Sequence, residues 1–147
     1  GSAPAPVKTK ILTELRARIA PKLVLSDIPD AGDDQEVSFD GLGMKITHYY
    51  SRYWGRDIRT VSFDWKDVIK VKAYGNLLLT GDKRRLVEIS FTLKHGAGKR
   101  YDSGMQHPKS DTVSEVSLML DPKDKDRAAV AREAERLIRG IISEKHG

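Results

Sequence analysis

The chain has no cysteine. Disulfide bridges, thiol catalysis and cysteine-ligated zinc are therefore excluded, although the compartment is left open. No apolar run approaches the about 18 residues that cross a bilayer as a helix. Catalytic signatures are missing as well. No serine stands in a G-x-S-x-G turn. The four histidines, His48, His95, His107 and His146, are scattered, and none lies at metal-binding helical spacing from another. Gly96-Ala97-Gly98-Lys99 fails as a phosphate loop, because Leu93 holds the place of the first glycine and Arg100 that of the serine or threonine. Gly41 and Gly43 fail as a dinucleotide fingerprint, because Ile46 stands where the third glycine belongs. The acidic segment before Asp40 lacks the spacing of an EF-hand loop. Carboxylate pairs such as Asp64 and Asp67 occur, but 21 acidic residues offer many by chance. The chain accordingly reads as non-catalytic, with no metal and no cofactor.

What is present fits one globular domain. A chain of 147 residues can bury a real core. An apolar content of 39% beside 32% charged residues is too rich in core-forming side chains for a disordered segment. The net charge is +5, which permits a nucleic acid, an anionic lipid or an acidic protein as partner without choosing among them. Asp27, Asp30, Asp33, Asp34, Glu36 and Asp40 have no lysine or arginine between them, so the rest of the chain is more basic than the total. Gly1-Ser2 reads as a cloning scar and Ala3-Pro4-Ala5-Pro6 as a flexible tether. The expected division is thus 1–6 as scar and tether and 7–147 as a single α+β domain. Such a tether suits the start of a mature secreted or periplasmic chain, and equally any flexible terminus.

The pattern of apolar residues predicts the elements. Val7, Ile11, Leu12, Leu15 and Ile19 recur at helical spacing, giving an amphipathic helix over 7–25 that Pro21 should end or kink near Ala20. Residues 26–36, rich in Asp, Gly and Pro, read as a surface loop. Val37 and Phe39 alternate with polar residues, and Met44 and Ile46 resume on the other parity after a hairpin or bulge at Gly41-Leu42-Gly43. Val61, Phe63 and Trp65 form one strand, and Ile69, Val71 and Ala73 another after a break at Lys66-Asp67. Gly75-Asn76 reads as a turn, and Gly81 to Arg85 as a polar hairpin tip. Val87, Ile89, Phe91 and Leu93 give the cleanest alternation in the chain. Residues 95–111 form a Gly-rich loop or loose hairpin, and Val116, Leu118 and Leu120 a last strand. The final helix, opened by Asp121-Pro122-Lys123-Asp124, carries an apolar stripe of Val130, Ala134, Leu137, Ile138, Ile141 and Ile142, with Glu135 and Arg139 as an i,i+4 pair.

Two segments stand out as candidate binding surface. HYYSRYWGR, residues 48–56, packs four aromatic rings and two arginines into nine positions. Such mixtures occur in protein interface hot spots and where rings stack on bases. As one strand it would carry rings on both faces, since Tyr50 and Trp54 share parity, as do Tyr49 and Tyr53. The partner-binding residues expected here are Tyr49, Tyr50, Arg52, Tyr53, Trp54 and Arg56, with Lys83, Arg84 and Arg85 at the basic tip.

Trp65-Lys66-Asp67-Val68-Ile69-Lys70-Val71-Lys72-Ala73-Tyr74, followed by Leu78, Thr80 and Asp82, resembles a pattern of small bacterial proteins with a pleckstrin-homology-like (PH-like) domain. There a Trp opens W-x-[DE]-I-x-x-I-x-A-Y and an L-x-T-x-D hairpin follows. The match departs at Gly75 and Leu77, where that pattern has Lys and Asp. The resemblance implies a curved antiparallel sheet or small PH-like barrel closed by a C-terminal helix. It implies non-catalytic binding and supplies no active-site residues.

Three functions compete on this sequence. The leading one is a non-catalytic PH-like binding protein that holds a protein partner, for example as a bacterial immunity or inhibitor protein. The second is nucleic-acid binding through Arg52, Arg56, Arg59, Lys83, Arg84, Arg85, Lys99 and Arg100. The third is binding to an anionic lipid surface.

Overall fold

The computed structural model describes residues 5–23, 25–28, 33–52, 55–78, 85–104, 107–120 and 125–142. The first described element is helix α1, Ala5–Glu14, which takes in Ala5 and Pro6. Proline suits the first turn of a helix, where its missing N–H has no partner to lose. A π turn, Leu15–Ile19, and a 3-10 turn, Ala20–Leu23, continue the helical path. The Ala20 N–H reaches back to the Leu15 carbonyl, and Pro21 follows inside the tighter turn. The geometry thus changes near Ala20 as proline demands, but helical structure persists to Leu23. Leu12, Leu15, Ile19 and Leu23 keep one buried stripe through these changes.

Nine strands follow among the described residues. They are β1 Leu25–Ile28, β2 Asp33–Phe39, β3 Gly43–Arg52, β4 Gly55–Asp64, β5 Val68–Leu78, β6 Arg85–Leu93, β7 Gly98–Asp102, β8 Lys109–Val113 and β9 Glu115–Met119. Helix α2, Arg127–Ile142, closes the order. A six-stranded sheet runs β1-β2-β3-β4-β7-β8 and a three-stranded sheet runs β5-β6-β9, with every pair antiparallel. Among the described residues the sheets do not close into a barrel. The fold is α+β, built from antiparallel sheets flanked by an N-terminal and a C-terminal helix.

The expected loop over 26–36 is in large part strand. Leu25–Ile28 form β1, and Asp33, Asp34, Gln35 and Glu36 pair with Tyr50, Tyr49, His48 and Thr47 of β3. Cross-strand pairing overrides the weak strand preference of these acidic residues. The glycine-rich turn holds as expected. Asp40 Oδ1 accepts the Leu42 and Gly43 amides at 2.8 Å each, and the Asp40 N–H donates to the Gly43 carbonyl at 3.0 Å. Gly43 leaves no room for a side chain, because a Cβ there would strike the Phe63 carbonyl. The chain needs no such space at Gly41.

The two sheets meet at one corner, where the chain crosses between them three times. Trp65–Asp67 form a single 3-10 turn from β4 into β5, as the break at Lys66-Asp67 foretold. Residues 94–97 lead from β6 back to β7, and Ser114 leads from β8 to β9. The Lys94 N–H donates to the Asp67 carbonyl at 2.9 Å, and the Leu93 N–H to the Ser114 carbonyl at 2.8 Å. The Gly96 N–H reaches Ser114 Oγ at 2.9 Å, with Gly96 in the left-handed region at φ +67°. Trp65 fills this corner. Its ring stacks on Phe39 and meets Phe63 edge-on, with centroids 6.3 and 6.2 Å away. Phe63 in turn touches Phe91 of the smaller sheet at 5.0 Å.

Val87, Ile89, Phe91 and Leu93 are buried as their alternation predicts. Strand β5 departs from expectation twice. Its register shifts between Val68 and Lys70 and again between Tyr74 and Leu77. Gly75-Asn76 is therefore a bulge inside a continuous strand, not a turn. The first irregularity leaves Ile69 64% exposed, so it is Val71 rather than Ile69 that builds the core. The proposed tip at 81–84 lies outside the described residues, and Arg85 begins β6. Within the expected loop or loose hairpin, Gly98–Asp102 and Lys109–Val113 pair as the antiparallel strands β7 and β8. Ala131, Ala134, Leu137, Ile138 and Ile141 bury the stripe of α2 against β5, β6 and α1. The Glu135–Arg139 pair forms at 3.1 Å, and Arg139 also donates to the Val71 carbonyl at 3.2 Å.

Two stability outcomes follow from this packing. Trp65→Phe removes the hydrogen bond from Nε1 to the Asp40 carbonyl, 2.8 Å in the wild type. It should lower unfolding free energy by about 1–3 kcal/mol in urea titration; an unchanged midpoint would show that the corner does not rest on this bond. Gly43→Ala should destabilise markedly in the same assay, whereas Gly41→Ala, with open space around its Cβ, should stay within about 0.5 kcal/mol of wild type.

Candidate functional site

Side chains alternate across a strand, so the register of the larger sheet sets out its inner face in rows. Nearest the corner lie Phe39, Met44 and Phe63. The next row runs Val37, Ile46, Val61, Arg100 and Asp111. The third is polar throughout: Gln35, His48, Arg59, Asp102 and Lys109. The face therefore passes from apolar core to a charged ladder within a few residues. This ladder borders the end of the β3–β4 pair that carries HYYSRYWGR.

At one side the ladder is a buried amide node. Gln35 is only 1% exposed. Its Nε2 donates to the Leu23 carbonyl and to the Met119 carbonyl, both at 3.0 Å. Both amide hydrogens are thereby used, so Oε1 accepts from His48 Nε2 at 3.0 Å. That pattern assigns the His48 proton to Nε2. Burial, and then the neighbouring Arg59 guanidinium, hold the imidazole below the ordinary histidine range. One glutamine thus joins the helical segment, β2, β3 and β9.

At the other side the ladder is a set of ion pairs. Arg59 directs Nε and Nη2 to Asp102 Oδ2 at 3.2 and 2.9 Å. Arg100 makes a fork to Asp111, with Nε at 2.8 Å from Oδ1 and Nη2 on Oδ2. The hydrogen bonding from Arg100 keeps the Asp111 carboxyl below the usual aspartate range. Such bidentate pairs fix the side chains in plane. Arg59, Arg100, Asp102, Lys109 and Asp111 enclose a small cavity of about 170 Å³. The opposite face of the same strands holds a shallow groove of about 470 Å³ lined by Thr60, Ser62, Lys99, Tyr101, Ser110 and Thr112, with Arg100 and Asp111 lining both it and the cavity. Tyr101 is 43% exposed there, and Ile58, on the same face of β4, 39%.

The expected binding residues are distributed unevenly. Tyr49 lies half-buried on the outer face of β3, and its hydroxyl donates to Glu36 at 3.3 Å. Tyr50 and Arg52 lie on β3 and Arg56 on β4, with Tyr50 opposite Asp57, Ser51 opposite Arg56 and Arg52 opposite Gly55. Tyr53, Trp54, Lys83 and Arg84 lie outside the described residues. The expectation of one continuous aromatic strand over 48–56 is corrected, because β3 ends at Arg52 and β4 begins at Gly55. The parity argument linking Tyr49 to Tyr53 and Tyr50 to Trp54 stops at that end. Arg85 belongs to the other sheet, opposite Leu78. Arg85 thus does not share a sheet with Arg52 and Arg56.

Gln35, Asp102, Lys109 and Asp111 escaped the sequence reading. The spacing of Arg100 to Asp102 and of Lys109 to Asp111 carried a weak signal, since residues two apart on a strand share a face. Asp64 and Asp67 do line a common groove beside the corner, but Asp67 faces Lys94 at 3.9 Å and no histidine or serine pairs with either among the described contacts.

The depressed His48 pKa makes a signed prediction. The unfolded chain binds a proton at His48 before the folded one does, so stability rises with pH across the window between them. It should fall as pH drops below about 6.5 toward the lowered folded value. His48→Gln should flatten that slope in urea midpoints taken from about pH 7.5 to about pH 5.5; an unaltered slope would place the titration elsewhere. Comparisons of this chain with known protein families, curated proteins and solved structures give no match.

Proposed function

We propose that this protein is a non-catalytic binding module of the PH-like type that holds a protein partner. The surface in question is the end of the larger sheet where Tyr49, Tyr50, Arg52, Tyr53, Trp54 and Arg56 cluster in sequence. The observation that carries the reading is the charged ladder beside it. Arg59 and Arg100, both expected to meet phosphate, are each engaged by an aspartate. A guanidinium already held in plane by a carboxylate has less to offer a phosphate backbone, whose binding depends on uncompensated cations. The same geometry suits a protein surface, where ordered charge pairs set register around aromatic anchors. Exposed Ile58 and Tyr101 extend apolar area on the adjoining outer face. Two antiparallel sheets with a C-terminal helix support the PH-like part of the reading. An immunity or inhibitor protein is the concrete form this function would take in a bacterium.

A double variant, Tyr53→Ala with Trp54→Ala, should weaken capture of the cognate protein from an extract of the source cells by about tenfold or more while leaving the thermal midpoint unchanged. Undiminished capture would overturn the site. In parallel, a single-stranded oligonucleotide should bind weakly even at low salt; tight binding that weakens steeply with salt would replace the reading with nucleic-acid recognition.

A further inference from the structure

The larger sheet ends on β8, which among the described residues has only β7 beside it. Among the described residues β7 is its main neighbour; Val113 packs against the core, and all five residues are exposed or half-exposed. Its outer edge therefore presents backbone N–H and C=O groups with no neighbouring strand. Natural edges are blunted by proline or lysine. Pro108 and Lys109 do this at the start of β8 alone, leaving Ser110–Val113 without either.

The two cavities described above flank this edge on opposite faces. The groove of about 470 Å³ borders Ser110 and Thr112, the cavity of about 170 Å³ borders Lys109, and Asp111 lines both. A strand added beside β8 would turn alternate side chains toward one and then the other. That is the geometry of strand-addition recognition, in which main-chain hydrogen bonds hold the peptide and alternating pockets select its sequence. The charges also discriminate. Three cations and two carboxylates enclose the inner cavity, leaving a surplus positive charge. Among the described residues Lys109 is within ion-pair distance of no carboxylate, though its charge acts on Asp111, whereas the arginines are paired. An acidic side chain complements this cavity. The outer groove sets hydroxyls and the Tyr101 ring beside Lys99 and the paired Arg100 and Asp111, and fits an aromatic or β-branched side chain.

We infer that β8 is a docking edge for an extended segment of the partner protein, in which acidic residues face Lys109 and alternate with aromatic or β-branched ones. This rests on the protein-binding reading above and names the form of the partner's contact. A second copy of the chain fits less well. Full two-fold pairing of two β8 strands would set Asp111 directly opposite Asp111, and like charges so placed repel.

The test uses the full chain, labelled with nitrogen-15, and a capped synthetic hexapeptide alternating glutamate with valine and tyrosine. Amide shifts should change at Lys109–Val113 and in β7 next to it. Two further peptides carry N-methyl groups on one or the other alternate set of residues. One should lose binding by about tenfold or more and the other should keep it, because only one set donates to β8. Lys109→Glu should weaken the parent peptide by about tenfold. The inference is overturned if the shifts map away from β8, if both methylated peptides bind like the parent, or if no peptide binds. It is overturned too if β8 resonances broaden with protein concentration alone, which would make the edge a self-association site. Should the Tyr53- and Trp54-dependent capture persist while the peptide leaves β8 untouched, the edge inference falls and the protein-binding reading stands. Loss of both would remove that reading as well.

Discussion

The indole of Trp65 holds together the place on which the fold turns. Its ring N–H meets the Asp40 carbonyl and its backbone N–H the Leu42 carbonyl, both at 2.8 Å. One residue thus ties the β2–β3 turn to the crossing between β4 and β5. The other two crossings are stitched to the same corner through Asp67, Lys94 and Ser114. Antiparallel sheets that share a corner can splay apart only by breaking these bonds. Phe39, Phe63 and Phe91 fill the wedge between them. The glycine at position 43 belongs to the same requirement, since only a residue without a Cβ lets β3 start so close to the Phe63 backbone.

Away from that corner the sheets need something other than hydrophobic filling. The inner face of the larger sheet changes character over three rows, from phenylalanine and methionine to arginine and aspartate. Buried polar groups persist only when each is answered. Gln35 meets this condition with three partners, while the partly exposed Arg59 and Arg100 are each paired with a carboxylate. The result is a border in which both arginines are paired, rather than an open basic surface. In the proposed reading, recognition would rest on shape, aromatic anchors and the strand edge, the features that protein partners use.

Much of the scaffold was legible in the chain. Val87, Ile89, Phe91 and Leu93 declared a strand, and the stripe through Ala134, Leu137, Ile138 and Ile141 declared a helix. The turn at Gly41 to Gly43 and the break at Lys66-Asp67 were legible for the same reason, because each is set by the preferences of a few neighbouring residues. The acidic segment 33–36 was misread because its strand is imposed by β3. Ile69 and Gly75-Asn76 were misread because a bulge is a mismatch between two strands and has no period of its own. The candidate site was half visible: Tyr49 and its aromatic neighbours stand out by composition, while Asp102 and Asp111 do not.

The sequence by itself determined that this is a cysteine-free α+β chain, which residues supply its core, and where aromatic and basic side chains concentrate. Those properties are local, fixed by composition and by spacing along the backbone. Only the tertiary structure decided that Arg59 and Arg100 face aspartates, that Gln35 gathers Leu23, His48 and Met119, and that β8 ends its sheet. Each depends on register between segments far apart in the chain. A shift of one residue would turn those side chains to the opposite face, and no short stretch of sequence encodes that choice.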